Sequence, residues 1–311
     1  MALALSGLVS SAAILRGFAG YFTEFAAFPA PLVMLGVLTV LTAAALWGVR
    51  EAVWAAGLVT LIEVAGLVFV VAAGLPEAMD SPAMITMTAA PPMAGFAAAV
   101  TLAFFAFVGF EDIVNMAEEA QRPERTLPIA IGATLGAALV LYGLIAWVSV
   151  SAVDPAVLAD SPAPLSRVVE QGFGDRAGQA LAGVALIAMV NGVLVQVLMA
   201  SRVLYGMAKR GAGPDWLAAV HPARRTPHLA TLVAAGVVAA LALAAPLAVL
   251  AQGTVFVVLV VFALVNAALI AVKRRGDASD HPHFTAPVWA PAVGLVISLA
   301  LFVISIIGLF A

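Results

Sequence analysis

The chain has no cysteine, few charges and few polar side chains of any kind. The missing thiols exclude disulfides, thiolate nucleophiles and cysteine metal sites, and leave the redox compartment open. Charged residues make up only 10% of the 311 residues, against 64% hydrophobic. A soluble domain normally carries about 25% charged residues, so there is too little polar surface to coat a water-soluble globule, and the expected solvent is lipid. The basic residues form no patch or stripe, which argues against nucleic acid as a partner. P-loop, GxSxG, HExxH and dinucleotide-binding fingerprints are all missing, so ATP hydrolysis and the common hydrolase chemistries find no support. No cofactor is expected. The N-terminal Met1-Ala2-Leu3-Ala4-Leu5 lacks the basic region of a secretory signal.

What the chain does have is long apolar runs. Nine of them, at about 1–24, 30–48, 52–75, 94–118, 126–152, 176–208, 229–250, 253–272 and 287–310, reach or approach the ~20 residues that cross ~30 Å of hydrocarbon. Proline and glycine punctuate the junctions, among them Pro29, Gly48, Pro76, Pro92, Pro123, Pro155, Pro227, Gly253 and Pro287. If the runs alternate in direction, 11 of the 14 Lys and Arg residues share one side, which the positive-inside rule makes cytoplasmic. The acidic stretches 76–93 and 152–175 fall on the other side. The longest connection, 209–228, carries Trp216 and Leu217, read either as a short helix on the membrane surface or as a solvated loop with one buried Trp.

One stretch stands out. The apolar run Phe104-Phe105-Ala106-Phe107-Val108-Gly109-Phe110 leads straight into Glu111 and Asp112, then Glu118 and Glu119. Carboxylates directly after a glycine, inside a segment long enough to span a bilayer, are tolerable only where the backbone faces protein or a water-filled cavity. The helix is therefore expected to break at Gly109, in the manner of the discontinuous helices that build midplane sites in secondary transporters. Glu111 is read two ways that are not exclusive: a substrate or proton ligand, or a cap on the resumed half-helix, where negative charge is favourable. Of the four phenylalanines around the break, two or three are expected to pack or face lipid, with Phe107 the first candidate for a gate.

Glu63 lies about twelve residues from either end of the third span. A lone carboxylate there must be neutral, paired or in contact with water; in an apolar setting its pKa should rise, which makes it a candidate proton switch. The alternative is a protonated Glu making one interhelical hydrogen bond. Asn191, in the sixth span, is more simply interhelical glue than a ligand, as are Asn115, Gln196 and Asn266, and Arg202 reads as a snorkelling anchor. The pair His281 and His283 has no third ligand nearby and reads as a solvated loop.

Three segments together carry a family resemblance. They are Phe104–Glu111 with Ala117-Glu118-Glu119-Ala120-Gln121-Arg122-Pro123-Glu124-Arg125-Thr126-Leu127-Pro128-Ile129; Ala200–Gly211 with Arg225-Thr226-Pro227; and Leu46-Trp47-Gly48-Val49-Arg50-Glu51. In this order they resemble the amino acid–polyamine–organocation (APC) permeases, most closely the cationic-amino-acid-transporter-like bacterial members. The resemblance implies an all-α integral membrane protein with a partial LeuT-type inverted-repeat bundle of about nine transmembrane helices in one membrane domain. Residues 1–75 would be the remainder of the first repeat, 94–272 the second repeat, and 287–310 an extra C-terminal span. It places Phe107, Val108, Gly109 and Phe110 in the unwound part of the family's sixth span; with Phe104, Glu111 and Asn191 from the reading of the residues, these are the expected substrate-binding positions. It sets Glu63 where many proton-coupled members carry a lysine, a departure that bears on the coupling ion.

In that register the first two spans and the twelfth are absent. Met1 falls inside an apolar helix with no turn before it, which favours a piece of a longer permease over a shortened protein. The expected function is a secondary active amino-acid permease of the cell membrane, proton-coupled or exchanging, that transports when the missing spans are restored. The alternative is a non-transporting membrane remnant that keeps the fold. The bilayer, the amino acid and protons are the implied partners, and no enzymatic role is expected.

Overall fold

The computed structural model describes residues 2–48, 53–80, 92–115, 120, 122–275 and 285–309. Among the described residues the chain forms twelve α-helices and no strand. They are α1 (Ala2–Phe22), α2 (Ala30–Trp47), α3 (Val53–Asp80), α4 (Met93–Phe105), α5 (Asp112–Asn115), α6 (Pro123–Ala152), α7 (Pro155–Asp160), α8 (Pro164–Phe173), α9 (Asp175–Lys209), α10 (His228–Ala244), α11 (Leu247–Arg275) and α12 (Trp289–Leu309). Seven are long and apolar enough to cross a membrane, and α4 and α10 are shorter apolar helices. Each of the nine expected runs thus contains one of these helices. An all-helical answer follows from the solvent: in hydrocarbon every backbone N–H and C=O must find its partner within the segment.

The punctuation works through ordinary capping chemistry. Prolines open α2, α7 and α8, where the missing N–H costs nothing. Gly48 ends α2 in the left-handed region at φ +89°, its N–H bonded to the Ala45 carbonyl at 3.3 Å. The seventh and eighth runs divide at Ala245–Pro246 and not at Gly253. Ala245 is extended at φ −128° and ψ 144°, as a residue before proline prefers to be. Gly253 lies within α11. The third run also continues through Pro76 to Asp80, because a membrane helix tolerates an internal proline when neighbouring groups satisfy the freed carbonyl.

The helices fall into two compact units, one made of Leu3–Met87 with Leu141–Leu250 and the other of Thr88–Val140 with Ala251–Ala311. In the larger unit α9 is the hub, packed against α2, α3, α8 and α10. The acidic connection 152–175, expected as a loop, folds into α7 and α8. Asp154 caps α7 by accepting the Ala156 N–H at 2.8 Å, and α8 turns Val168 and Val169 onto Val70 and Ala73 of α3. Arg167 of α8 donates to Glu170 at 2.7 Å and to Glu24, in the turn after α1, at 3.3 Å. Its bond to Glu170 raises an already high pKa, so the cation persists at every accessible pH. On the opposite connection, Asp215–Ala218 forms a single 3-10 turn that buries Leu217 and leaves Trp216 exposed.

Arg16 of α1 has a specific task in this unit. Its Nε donates to the Ala242 carbonyl at 2.6 Å and its Nη2 to Leu243 at 3.2 Å. These are among the last carbonyls of α10, which have no partner within their own helix and lie where a cation is favoured. Arg16→Met keeps the apolar stem and removes both donors. It is expected to destabilise the protein by about 1.5–3 kcal/mol, read as a lower thermal midpoint in detergent. Arg16→Lys should recover part of that loss.

In the smaller unit α4 packs along α12. Thr101 donates to Ser305 at 2.9 Å, and at Gly308 an added Cβ would stand 2.8 Å from the Ala98 nitrogen. Small residues let the two backbones approach, as membrane helix pairs require. Phe256 of α11 meets Phe302 of α12 edge to face at 5.4 Å.

Candidate functional site

The expected break is present. The α-helical ladder ends at Phe105; Phe107 and Val108 donate three residues back, to Phe104 and Phe105, at 3.0 and 3.1 Å. Gly109 then takes φ +126°, a backbone region closed to side-chain-bearing residues. The chain resumes as α5 only at Asp112, with Ile113 and Val114 donating to the carbonyls of Phe110 and Glu111. Between the two helices Glu111 folds back on the main chain, and its Oε2 accepts the Gly109 N–H at 2.8 Å. The bond closes the turn before α5, and is not to the N–H groups that open that helix. A charge-assisted bond of this kind is about twice as strong as a neutral one.

Two of the four phenylalanines around the break, Phe104 and Phe110, pack against a partner that the sequence did not mark. Phe262 of α11 is the ring common to both ends of the break, 6.4 Å from Phe104 and 5.7 Å from Phe110 by ring centroids. Its ring therefore packs against both arms of the interrupted helix. Phe104, Phe107, Val108, Gly109, Phe110 and Glu111 are all half-buried. Asn266, one turn beyond Phe262, donates to the Phe262 carbonyl at 2.8 Å, a purely structural use. Nothing in the sequence marked Phe262, which sits among valines and leucines in an unbroken apolar helix.

The larger unit brings together Glu63 of α3 and Asn191 of α9. The Asn191 side chain is hydrogen-bonded to the Glu63 carboxylate, and Tyr142 of α6 lies nearby. No Lys, Arg or His among the described residues forms an ion pair with Glu63. The carboxylate opens into a cavity of about 260 Å³ whose other polar group is the Tyr21 hydroxyl; Gly66, Val70, Leu181 and Met189 are among its apolar walls. Tyr21 is itself hydrogen-bonded to the main chain of Leu165. Two residues 128 positions apart, each singled out for its own cost in the membrane, thus meet at one point. Gln196, by contrast, lies against Gly7 of α1, and Arg202 is exposed. Glu118, Glu119, His281 and His283 lie outside the described residues, as do the side chains of Asp112 and Asn115. Among the described residues no group of three or more His, Cys, Asp or Glu is placed to hold a metal ion.

These helices and the interrupted segment define a multi-pass membrane protein. The chain belongs to the amino acid permease family, whose model matches residues 1–310. It is 32% identical over 240 residues to an uncharacterized transporter of Mycobacterium tuberculosis, an alignment covering 77% of this chain and 54% of that protein. It is 31% identical over 220 residues to the branched-chain amino acid permease BcaP of Bacillus subtilis, covering 69% and 46%. A vacuolar cationic amino acid transporter of Arabidopsis thaliana is 31% identical over 197 residues, covering 62% and 31%. The chain spans about half the length of the first curated relatives it matches. Its family is one of permeases and not of enzymes.

Proposed function

We propose that the chain is a secondary active amino-acid permease working by alternating access, with proton coupling or exchange driving the cycle. The observation that carries this reading is the interruption at Gly109. A membrane helix that gives up its regular hydrogen bonds mid-span exposes main-chain donors and acceptors that can bind the ammonium or carboxylate of an amino acid. Phe104, Phe107, Val108, Gly109, Phe110 and Glu111 supply one half of that site, with Phe107 as the gate. In the other unit Asn191, a second candidate substrate ligand, is bonded to Glu63, the carboxylate that takes up and releases the coupling proton. The basic connections face the cytoplasm. Relatives named for branched-chain and for cationic amino acids set the range of substrates to be tried.

The test is uptake of a panel of radiolabelled amino acids into proteoliposomes. It uses the 311-residue chain alone and the chain joined to the segments by which its relatives exceed it. Uptake by the joined form, abolished by Gly109→Val, is the expected result. Folded protein that moves no amino acid in either form refutes the reading. Glu63→Gln is expected to flatten the pH dependence of uptake between mildly acidic and mildly alkaline buffers. A profile indistinguishable from that of the unmodified protein removes Glu63 from the coupling role and leaves the permease reading standing.

A further inference from the structure

Away from the break and from Glu63, the larger unit has a second feature with no role in transport as argued above. A cavity of about 410 Å³ runs between α2 and α10, walled by Leu35, Leu38, Thr39 and Leu46 on one side and Gly236 and Ala239 on the other. It is apolar in effect, because the Thr39 hydroxyl is turned back onto the Leu35 carbonyl at 2.7 Å. From Leu35 to Leu46 is 11 residues of helix, about 16 Å at 1.5 Å per residue. Half of a ~30 Å hydrocarbon core is about 15 Å. The groove is as deep as one leaflet.

Its end at Leu46 is closed by a basic turn. Thr226 Oγ1 donates to the Leu46 carbonyl at 3.2 Å and docks residues 221–226 there. The turn is fixed from within: Arg225 N donates to the His221 carbonyl at 2.8 Å, and Arg224 N to His221 Nδ1 at 3.3 Å. Arg224 stacks its guanidinium 4.1 Å over the ring of Trp47, itself 72% exposed. Arg224 and Arg225 are both exposed, and neither forms an ion pair among the described residues. A guanidinium held flat on an interfacial Trp keeps its edge N–H groups for a bidentate anion such as phosphate.

We propose that this groove holds one anionic phospholipid of the leaflet on the side of the 209–228 connection, with an acyl chain between α2 and α10 and its phosphate on Arg224. Charge and length together select this occupant. A zwitterionic lipid brings its own cation to the two arginines, and a soluble phosphate leaves 410 Å³ of apolar groove empty. A transmembrane helix would need an acid placed at one leaflet's depth.

The full chain, purified in neutral detergent, is titrated with dioleoylphosphatidylglycerol and separately with dioleoylphosphatidylcholine, and bound lipid is counted by native mass spectrometry. One tightly held phosphatidylglycerol is expected, with phosphatidylcholine held at least about tenfold more weakly. Arg224→Gln should cut phosphatidylglycerol affinity about tenfold and leave phosphatidylcholine unchanged. Gly236→Leu is the second, independent variant. An added Cβ there meets nothing within 4 Å, so the larger side chain fills the groove without disturbing the helices and should lower affinity for the acylated lipid. Circular dichroism confirms that both variants are folded. Equal binding of the two lipids, unchanged binding by both variants, or full competition by glycerol 3-phosphate at equal concentration would each overturn the proposal. So would a dimer that Gly236→Leu dissociates, since the groove would then belong to a second copy of the chain.

Discussion

Replacing Gly172 by valine should cost about 3 kcal/mol and lower the thermal midpoint in detergent by about 6–10 °C. Gly172 lies in the last turn of α8, where an added Cβ would collide with the carbonyl oxygen of Ala73 and stand 3.0 Å from its carbonyl carbon. The obstacle is backbone of another helix, so no side chain can rotate out of the way. α8 would have to lift from α3 and open the cluster of Val70, Ala73, Val168 and Val169. Gly172→Ala should show a smaller loss of the same sign. A midpoint unchanged by valine would mean that α8 rests on α3 more loosely than this close approach requires.

The second large effect is expected at Gly109, for a different physical reason. Nothing lies within 4 Å of a Cβ placed there, so the space is open and only the backbone objects. At φ +126° an alanine is strained by about 1–3 kcal/mol. A β-branched residue is strained more. Gly109→Ala should lower the thermal midpoint, and Gly109→Val should in addition abolish uptake in the reconstituted assay. The carboxylate that closes the turn can be tested separately. Glu111→Gln keeps an oxygen to accept the Gly109 N–H, whereas Glu111→Ala removes it. Hydrogen exchange at the Gly109 amide should stay slow in the first variant and accelerate in the second. Fast exchange already in the unmodified protein would refute this bond.

Most of the helical framework was legible because the solvent makes it so. Runs of about 20 apolar residues have few alternatives in hydrocarbon, and acids directly after Gly109 had no inexpensive place in a straight helix. What could not be read falls into recognisable kinds. Gly253 is the expected divider of the seventh and eighth runs, yet they part at Pro246, because proline breaks a helix by losing a donor and by constraining Ala245, whereas glycine merely loosens it. The short helices α7 and α8 open on Pro155 and Pro164, signals that were present but overshadowed by the acidity of the connection. The meeting of Glu63 with Asn191, and of Phe262 with Phe104 and Phe110, depends on the rotation of one helix against another. Apolar periodicity is nearly uniform around such helices and says little about which faces meet.

The bond between Glu111 and the Gly109 amide joins residues only two apart, so the bend needs no distant partner to hold its shape. It is a self-contained joint, fastened by a clasp from its own strand of chain. Displacing one flanking arm would not by itself unfasten the corner, and the same dozen residues grafted into another apolar helix should kink it at the glycine.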